Sequence, residues 1–277
     1  QISDFARLQY MPATHDIIIA LLLTTVAGLS TGIGALVAFF TRATDTRVLS
    51  AALGLSAGVM VYVSMMELLP EAFATLGRAF DERTGEAVTL LTFFGGIALI
   101  ALIDHFVPED ENPHEMHSPG ELSKPADGHH MRRTAMMLTL AIGIHNFPEG
   151  MATFISALDG PDVALPIVVA IAIHNIPEGI AVSVPIYHSS GSRKKAFVYT
   201  LVSGLAETVG AIVGMAFLFP FWTPEINAYC LAAVAGVMVY ISFDELLPGA
   251  ERYGHHHIAL GGVIAGMAIM ALTLLIL

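Results

Sequence analysis

Long apolar stretches separated by short polar connectors dominate the pattern of this sequence. Eight runs are long enough to cross a bilayer as helices, which takes about 20 residues. None alternates like a membrane β-strand, and lipid leaves only helices or closed barrels as spanning structures. The pattern therefore predicts an all-α polytopic membrane protein with eight transmembrane helices, numbered here as spans one to eight at residues 16–40, 48–70, 88–107, 133–158, 163–187, 195–219, 225–249 and 257–277.

Two of these runs carry nearly the same sequence. Residues 57–72 read AGVMVYVSMMELLPEA and residues 235–250 read AGVMVYISFDELLPGA, identical at twelve of sixteen positions. They lie on spans two and seven, and an odd separation of five spans makes the copies run in opposite directions. Residues 28–35 of span one echo residues 204–211 of span six more weakly. We predict a 3+2+3 inverted repeat about an axis in the membrane plane, as is typical of secondary transporters.

This pattern organises residues 1–277 as a single transmembrane domain. Residues 16–107 hold the first three spans, residues 132–187 hold spans four and five, and residues 195–277 hold the last three. The connector at residues 108–131 is polar and rich in histidine, and we expect it to be a disordered loop.

Basic residues are divided unequally between the two predicted sides of the membrane. Cytoplasmic loops carry an excess of Lys and Arg. Both termini are therefore predicted to lie outside, and the histidine-bearing loop 108–131 is predicted to be cytoplasmic. The three basic residues on one side are Arg7, Arg78 and Arg83, and the nine on the other are Arg42, Arg47, Lys124, Arg132, Arg133, Arg193, Lys194, Lys195 and Arg252.

Composition excludes several classes of protein. Only 13% of the residues are charged and 55% are apolar, whereas soluble domains carry about 25% charge. A net charge of −12 disfavours nucleic-acid binding and suits a protein that handles cations. The single Cys230 excludes an internal disulfide and a thiolate metal cluster within one chain. Residues 1–15 lack the apolar core of a signal peptide.

A six-residue phrase occurs twice inside the apolar spans, as HNFPEG at residues 145–150 and HNIPEG at residues 174–179. In each copy the histidine and the glutamate are four residues apart, which places them on one face of a helix. Imidazole and carboxylate together suit Zn²⁺ and also Fe²⁺, Mn²⁺, Co²⁺ and Cd²⁺. The candidate metal ligands are His145, Asn146, Glu149, His174, Asn175 and Glu178.

The energetic cost of these residues points in the same direction. An ionised side chain at mid-span costs about 2.5–3.5 kcal/mol on insertion scales. Spans four to six carry Glu149, Glu178 and Glu207, and Glu207 is placed to join the site from a third helix. A partly hydrated pathway occupied by divalent cations offsets both the cost of burying these three glutamates and the repulsion between their carboxylates. Thr31 occupies the position of Glu207 in the weaker repeat on span one.

Acidic residues near the ends of the spans are candidates for entrance and exit sites. Glu67 and Glu245 lie at equivalent positions of spans two and seven, and either interfacial charges or gate ligands explain them. Asp104, His105 and Asp244 fall near the predicted cytoplasmic ends, where solvation is cheap. His255, His256, His257 and the histidines of loop 108–131 either bind metal weakly after exit or are solvated loop residues.

At these residues the chain resembles the ZIP family of zinc- and iron-regulated transporters, especially its bacterial broad-specificity members. The resemblance covers residues 16–277 and implies a binuclear site in an inner (plasma) membrane protein. It places one metal on His145, Glu149, His174 and Glu178, and a second on Asn146, Glu149, Asn175, Glu178 and Glu207. It also implies a homodimer in which spans one, four, five and six move against the others, an exit site at Asp104 and Glu245, and an entrance near Glu67.

The leading hypothesis is therefore uptake of divalent metal, zinc before iron, manganese, cobalt and cadmium, by alternating access. The metal is substrate, no catalytic cofactor is expected, and the lipid bilayer is the other partner. An intramembrane zinc enzyme is disfavoured because no HExxH motif occurs. A metal-gated sensor is the remaining alternative, although no connector is long enough to hold a signalling domain.

Overall fold

The computed structural model describes residues 14–40, 46–106, 161–218, 223–251 and 254–276, with parts of 143–158. Within 143–158 it describes residues 143, 146, 147, 149–151, 153–155, 157 and 158. Most of these residues are helical, and no β-strand occurs among them. The predicted loop 108–131 with its histidines, and the rest of span four, lie outside the described residues.

The helices coincide with seven of the eight predicted apolar runs. Polar residues mark two of their starts, since the side chain of Ser192 accepts from Lys195 N at 3.3 Å and that of Thr223 accepts from Ile226 N at 3.3 Å. The α-helices are α1 Thr14–Phe40, α2 Thr46–Val63, α3 Leu69–Ala79, α4 Glu82–Phe106, α5 Pro161–Ser190, α6 Arg193–Val213, α7 Pro224–Ile241, α8 Leu247–Glu251 and α9 His256–Ile276. Wider π-helical turns join or follow them at Ser64–Leu68, Gly214–Leu218 and Ser242–Leu246.

Six helical stretches of the described chain are long and apolar enough to cross a membrane. Their outward faces carry large apolar side chains, such as Leu22 at 60%, Val202 at 54% and Ile264 at 60% exposure. Such a surface is costly in water and matches contact with lipid. The six are Thr14–Leu36, Thr46–Ala79, Glu82–Leu102, Arg193–Ala216, Pro224–Glu251 and His256–Ile276. Within α5, the described apolar stretch is the shorter Ile171–Val184.

The described helices pack in two groups. In the first, α1 lies against both α5 and α6. In the second, α2 lies against α9, and α4 lies against α3 and α7. Helix α5 joins the groups, because it packs against α2 and α9, with Val184 in the apolar core built around Leu53, Met60 and Met238.

Glycines allow the close approach of helices within each group. In the second group, a Cβ on any of six glycines would overlap a carbonyl oxygen of the facing helix, and four of these contacts link two equivalent helix pairs. These four contacts are Gly58 on Val263 and Gly266 on Leu55 between α2 and α9, and Gly236 on Phe93 and Gly96 on Ala233 between α7 and α4. Because Gly58 and Gly236 hold the same position in the two sequence repeats, the α2–α9 and α4–α7 pairs use matching contacts.

Candidate metal site

The residues predicted to bind metal lie on three neighbouring segments. Segment 143–158 carries Asn146 and Glu149, α5 carries Asn175 and Glu178, and α6 carries Glu207. All five side chains are buried, with at most 7% exposure, although all five are polar. His145 lies outside the described residues, as does the side chain of His174. Their predicted place at the site therefore stays a prediction.

Two glycines bring the three segments together beside the glutamates. A Cβ on Gly150 would overlap the backbone carbonyl of Glu207, and a Cβ on Gly179 would overlap that of Thr31. Each glycine directly follows the glutamate of its phrase. The absence of a side chain thus lets Glu149 approach α6 closely and lets Glu178 approach α1 closely.

The two amides are anchored to matching carbonyls. Asn175 Nδ2 donates to the carbonyl of Ala27 on α1 at 2.9 Å, and Asn146 Nδ2 donates to that of Ser203 on α6 at 3.4 Å. Ala27 and Ser203 occupy equivalent positions, each one residue before the reciprocally packed pair Gly28 and Gly204. The second phrase therefore repeats the packing of the first on the opposite helix.

Asn175 also binds the third carboxylate directly. Its Nδ2 donates to Oε1 of Glu207 at 2.6 Å, a short hydrogen bond. The other oxygens of this pair, Oδ1 of Asn175 and Oε2 of Glu207, are buried without a hydrogen-bond partner among the described residues. Each residue of the pair thus keeps one buried oxygen whose chemistry suits a cation.

The site is strongly negative. The charges of Glu149 and Glu178 both act on Glu207, which is fully buried. Residues 134–192 contain no Lys or Arg, so no lysine or arginine of segment 143–158 or of α5 up to Ser190 offsets this charge. Buried carboxylates that repel one another are costly unless cations or protons offset their charge. Among the described side chains, no three of His, Cys, Asp and Glu already form a metal-binding group, and neither histidine of the phrases is among those side chains.

The proposed entrance and exit residues lie at π-helical turns or helix ends. Glu67 is half-buried on the turn Ser64–Leu68, and Asp244 and Glu245 lie on the equivalent turn Ser242–Leu246. Asp104 and His105 lie in the last turn of α4, and their side chains, like that of Glu245, are outside the described part of the structure.

These π-helical turns are a structural feature that sequence analysis missed. The backbone N–H of Leu69 donates to the carbonyl of Ser64, five residues back, and Leu247 pairs with Ser242 in the same way. A proline follows each turn at residues 70 and 248, where its ring excludes the carbonyl four residues back and widens the helix. The repeated Ser-x-x-Glu-Leu-Leu-Pro was the available signal, and π-helical turns are common at functional sites.

Comparison with known proteins identifies the family. The model of the ZIP Zinc transporter family matches residues 14–123 and 108–274. A protein named Zinc transporter ZupT from Akkermansia muciniphila is 55% identical over 269 residues, covering 96% of this chain and 99% of the relative. The protein of that name from Streptococcus mutans is 56% identical over 258 residues, covering 93% and 97%. That from Clostridium perfringens is 49% identical over 276 residues, covering 95% and 97%. The chain belongs to the ZIP zinc transporter family, and it is an integral membrane protein.

Proposed function

We propose that the protein carries divalent transition-metal ions, with zinc as the main substrate, from outside into the cytoplasm. One observation supports this most directly: three buried carboxylates and two buried amides converge from three segments, and the two segments that carry the phrases hold no Lys or Arg. The relatives named as zinc transporters support zinc as the substrate. Iron, manganese, cobalt and cadmium suit the same nitrogen and oxygen ligands.

The proposed ligand sets divide the site into two positions. One metal is held by His145, Glu149, His174 and Glu178, and the glutamates bridge to a second metal. Asn146, Asn175 and Glu207 complete that second position. The short bond from Asn175 Nδ2 to Glu207 Oε1 supports this division, because it holds the side chains of two proposed ligands of the second position in contact.

An eight-span inverted repeat explains the matching contacts. The α2–α9 and α4–α7 pairs share glycine contacts, and the amides of both phrases bind equivalent carbonyls on α1 and α6. We infer that segment 143–158 belongs to the fourth span and that α5 is the fifth. The two phrases then lie at the axis that relates the halves of the chain.

Alternating access follows from the two packing groups. Every glycine of the described residues whose Cβ would overlap a facing backbone makes that contact inside one group, none between α2 and α5. We propose that α1, segment 143–158, α5 and α6 move as a unit against the remaining helices. This motion exposes the metal site first to the Glu67 side and then to the side of Asp104, His105, Asp244 and Glu245.

The orientation and assembly are proposed from charge and from exposed surface. With both termini outside the cell, loop 108–131 lies on the cytoplasmic side of a bacterial inner membrane. Its histidines bind ions there after the ions leave the transport site. We further propose a homodimer. The outer face of α4 supports it, because Leu91 and Phe94 are 72% and 60% exposed and a Cβ on Gly95 would meet nothing within 4 Å.

Metal uptake into proteoliposomes tests the function. Purified wild-type protein is expected to admit Zn²⁺, with competition by Cd²⁺, Fe²⁺, Mn²⁺ and Co²⁺ but not by Mg²⁺. Glu149→Ala and Glu178→Ala are expected to abolish uptake, while Glu86→Ala, which changes a carboxylate on the exposed start of α4, leaves it unchanged. Wild-type uptake by both site variants refutes the proposal. Zinc binding without uptake by the wild-type protein favours a sensor.

A further inference from the structure

Thr31 occupies on α1 the position that Glu207 occupies on α6. Gly28 and Gly204, three residues before them, pack reciprocally at the crossing of the two helices. A Cβ on Gly204 would meet the side chain of Thr31 at 3.0 Å, and a Cβ on Gly28 would meet Cβ of Glu207 at 3.3 Å. The two side chains therefore leave their helices at equivalent points of one interface.

The surroundings of the two residues correspond as well. The carbonyl of Glu207 is covered by Gly150, which follows Glu149, and the carbonyl of Thr31 is covered by Gly179, which follows Glu178. Thr31 is fully buried. It therefore borders the site from α1 as Glu207 borders it from α6.

The hydroxyl of Thr31, like that of Thr200 on α6, lacks the bond within its own helix that six other threonines make. Six threonines donate to the carbonyl four residues back: Thr24, Thr25, Thr89, Thr92, Thr153 and Thr273. For Thr31 that carbonyl belongs to Ala27, and it already accepts from Ser30 Oγ at 2.6 Å and from Asn175 Nδ2 at 2.9 Å. Oγ1 of Thr31 has no hydrogen-bond partner among the described residues. The anchoring of Asn175 has thus left this buried hydroxyl available.

We propose that Thr31 faces the transported cations and sets how tightly the site holds them. Its hydroxyl supplies a neutral oxygen where exact symmetry would supply a fourth carboxylate. Two divalent cations carry four positive charges, against which Glu149, Glu178 and Glu207 supply three negative ones. The bound pair is therefore incompletely neutralised and leaves the site quickly. This inference rests on the proposed transport function and names a determinant of affinity and turnover within it.

Substitutions at Thr31 separate the effect of its hydroxyl oxygen on zinc binding from the effect of its lack of negative charge. Thr31→Val keeps the shape and removes the oxygen, so the Kd for Zn²⁺ is expected to rise about fivefold to tenfold, as for the loss of one polar contact. Thr31→Ser keeps the hydroxyl and is expected to stay within about twofold of wild type. Thr31→Asp adds the fourth carboxylate, and both KM and kcat for zinc uptake are expected to fall about tenfold or more.

The measurements are isothermal titration with Zn²⁺ in detergent and zinc uptake in proteoliposomes, each with thermal unfolding of the same preparation. Thr24→Val is the matched control, because Thr24 is a buried threonine of α1 whose hydroxyl is bonded within its own helix. Its zinc Kd is expected to be unchanged. An unchanged Kd in Thr31→Val overturns the inference, as does an equal loss in Thr31→Ser and Thr31→Val that follows their thermal stability. If Thr31→Asp does not fold, the Val and Ser pair still decides.

Wild type and Glu178→Ala are measured in the same titration and uptake experiments. A wild-type protein that takes up no zinc refutes the transport function itself. A wild type that does so, with Thr31 variants that behave like the Thr24 control, refutes only the role of Thr31.

Discussion

Replacement of Asn175 tests the central contact of the site without any metal present. Asn175→Ala removes the 2.6 Å bond to Glu207 Oε1 and the 2.9 Å bond to the Ala27 carbonyl. A hydrogen bond to a charged group contributes about 1.5–3 kcal/mol and a neutral one about 1 kcal/mol. The substitution is thus expected to lower the free energy of unfolding by about 2.5–4 kcal/mol. At about 2–4 °C per kcal/mol for a chain of this size, the Tm falls by about 5–15 °C.

The equivalent amide provides the control. Asn146 donates to the Ser203 carbonyl at the longer distance of 3.4 Å. That hydrogen bond is weaker than the two bonds of Asn175, so its loss in Asn146→Ala is expected to contribute less to the change in the free energy of unfolding. Both variants are measured by thermal unfolding in detergent with EDTA, so that no metal contributes.

A double-mutant cycle separates the bond from general packing. In Asn175→Ala with Glu207→Ala, the combined cost is expected to be smaller than the sum of the single costs by about 1.5–3 kcal/mol, the worth of the shared bond. Additive costs refute the interpretation that Asn175 holds Glu207 in place.

Three further predictions concern packing, pH and metal. In Gly150→Ala the new Cβ overlaps the carbonyl of Glu207, so the substitution is expected to lower the free energy of unfolding by about 3 kcal/mol or more and to reduce the yield of monodisperse protein. Gly95→Ala is the control, because its Cβ meets nothing within 4 Å. Equal yields of the two variants contradict this prediction. Asp81 caps α4 through bonds from Thr84, which lower the pKa of its carboxyl, so its stabilisation is present above its ordinary pKa and is lost as pH falls through the lowered value. The Tm values of wild type and Asp81→Ala are therefore expected to differ at pH 7 and to converge in acid, and a constant difference contradicts this. Zinc at about 100 times its Kd is expected to stabilise wild type by about 2.7 kcal/mol, and Glu149→Ala is expected to show no such gain in a melting scan.

The helices and the burial of several polar residues of the two phrases were predictable from sequence, because both follow from the cost of placing residues in lipid. Apolar runs of membrane length admit few structures other than helices. A buried phrase such as HNIPEG at residues 174–179 is costly enough to require a function. The sequence also placed Glu207 and Thr31 at equivalent positions, and the packing of Gly28 against Gly204 agrees with that.

Finer features depended on tertiary contacts that sequence does not display. The hydrogen-bond partners of Asn175 could not be predicted from the sequence, because its bonds to Ala27 and Glu207 form only when α1, α5 and α6 pack. The widened turn before Pro70 was not predicted, because a proline in an apolar run is compatible with a kink, a break or a π-helical turn. Contacts with the neighbouring helices determine both the bonds of Asn175 and the form of the turn before Pro70.

The pairing of early with late helices has a consequence for how the chain is made. Helix α2 finds its glycine contacts on α9, and α1 finds them on α5 and α6, far along the sequence. During synthesis, α1 and α2 therefore enter the bilayer before the helices that they pack against. Gly54 and Gly58 face lipid until α9 leaves the ribosome. Such long-range pairing slows folding and prolongs the exposure of incomplete intermediates. Quality-control proteases in the membrane thus have their longest opportunity just before α9 is inserted.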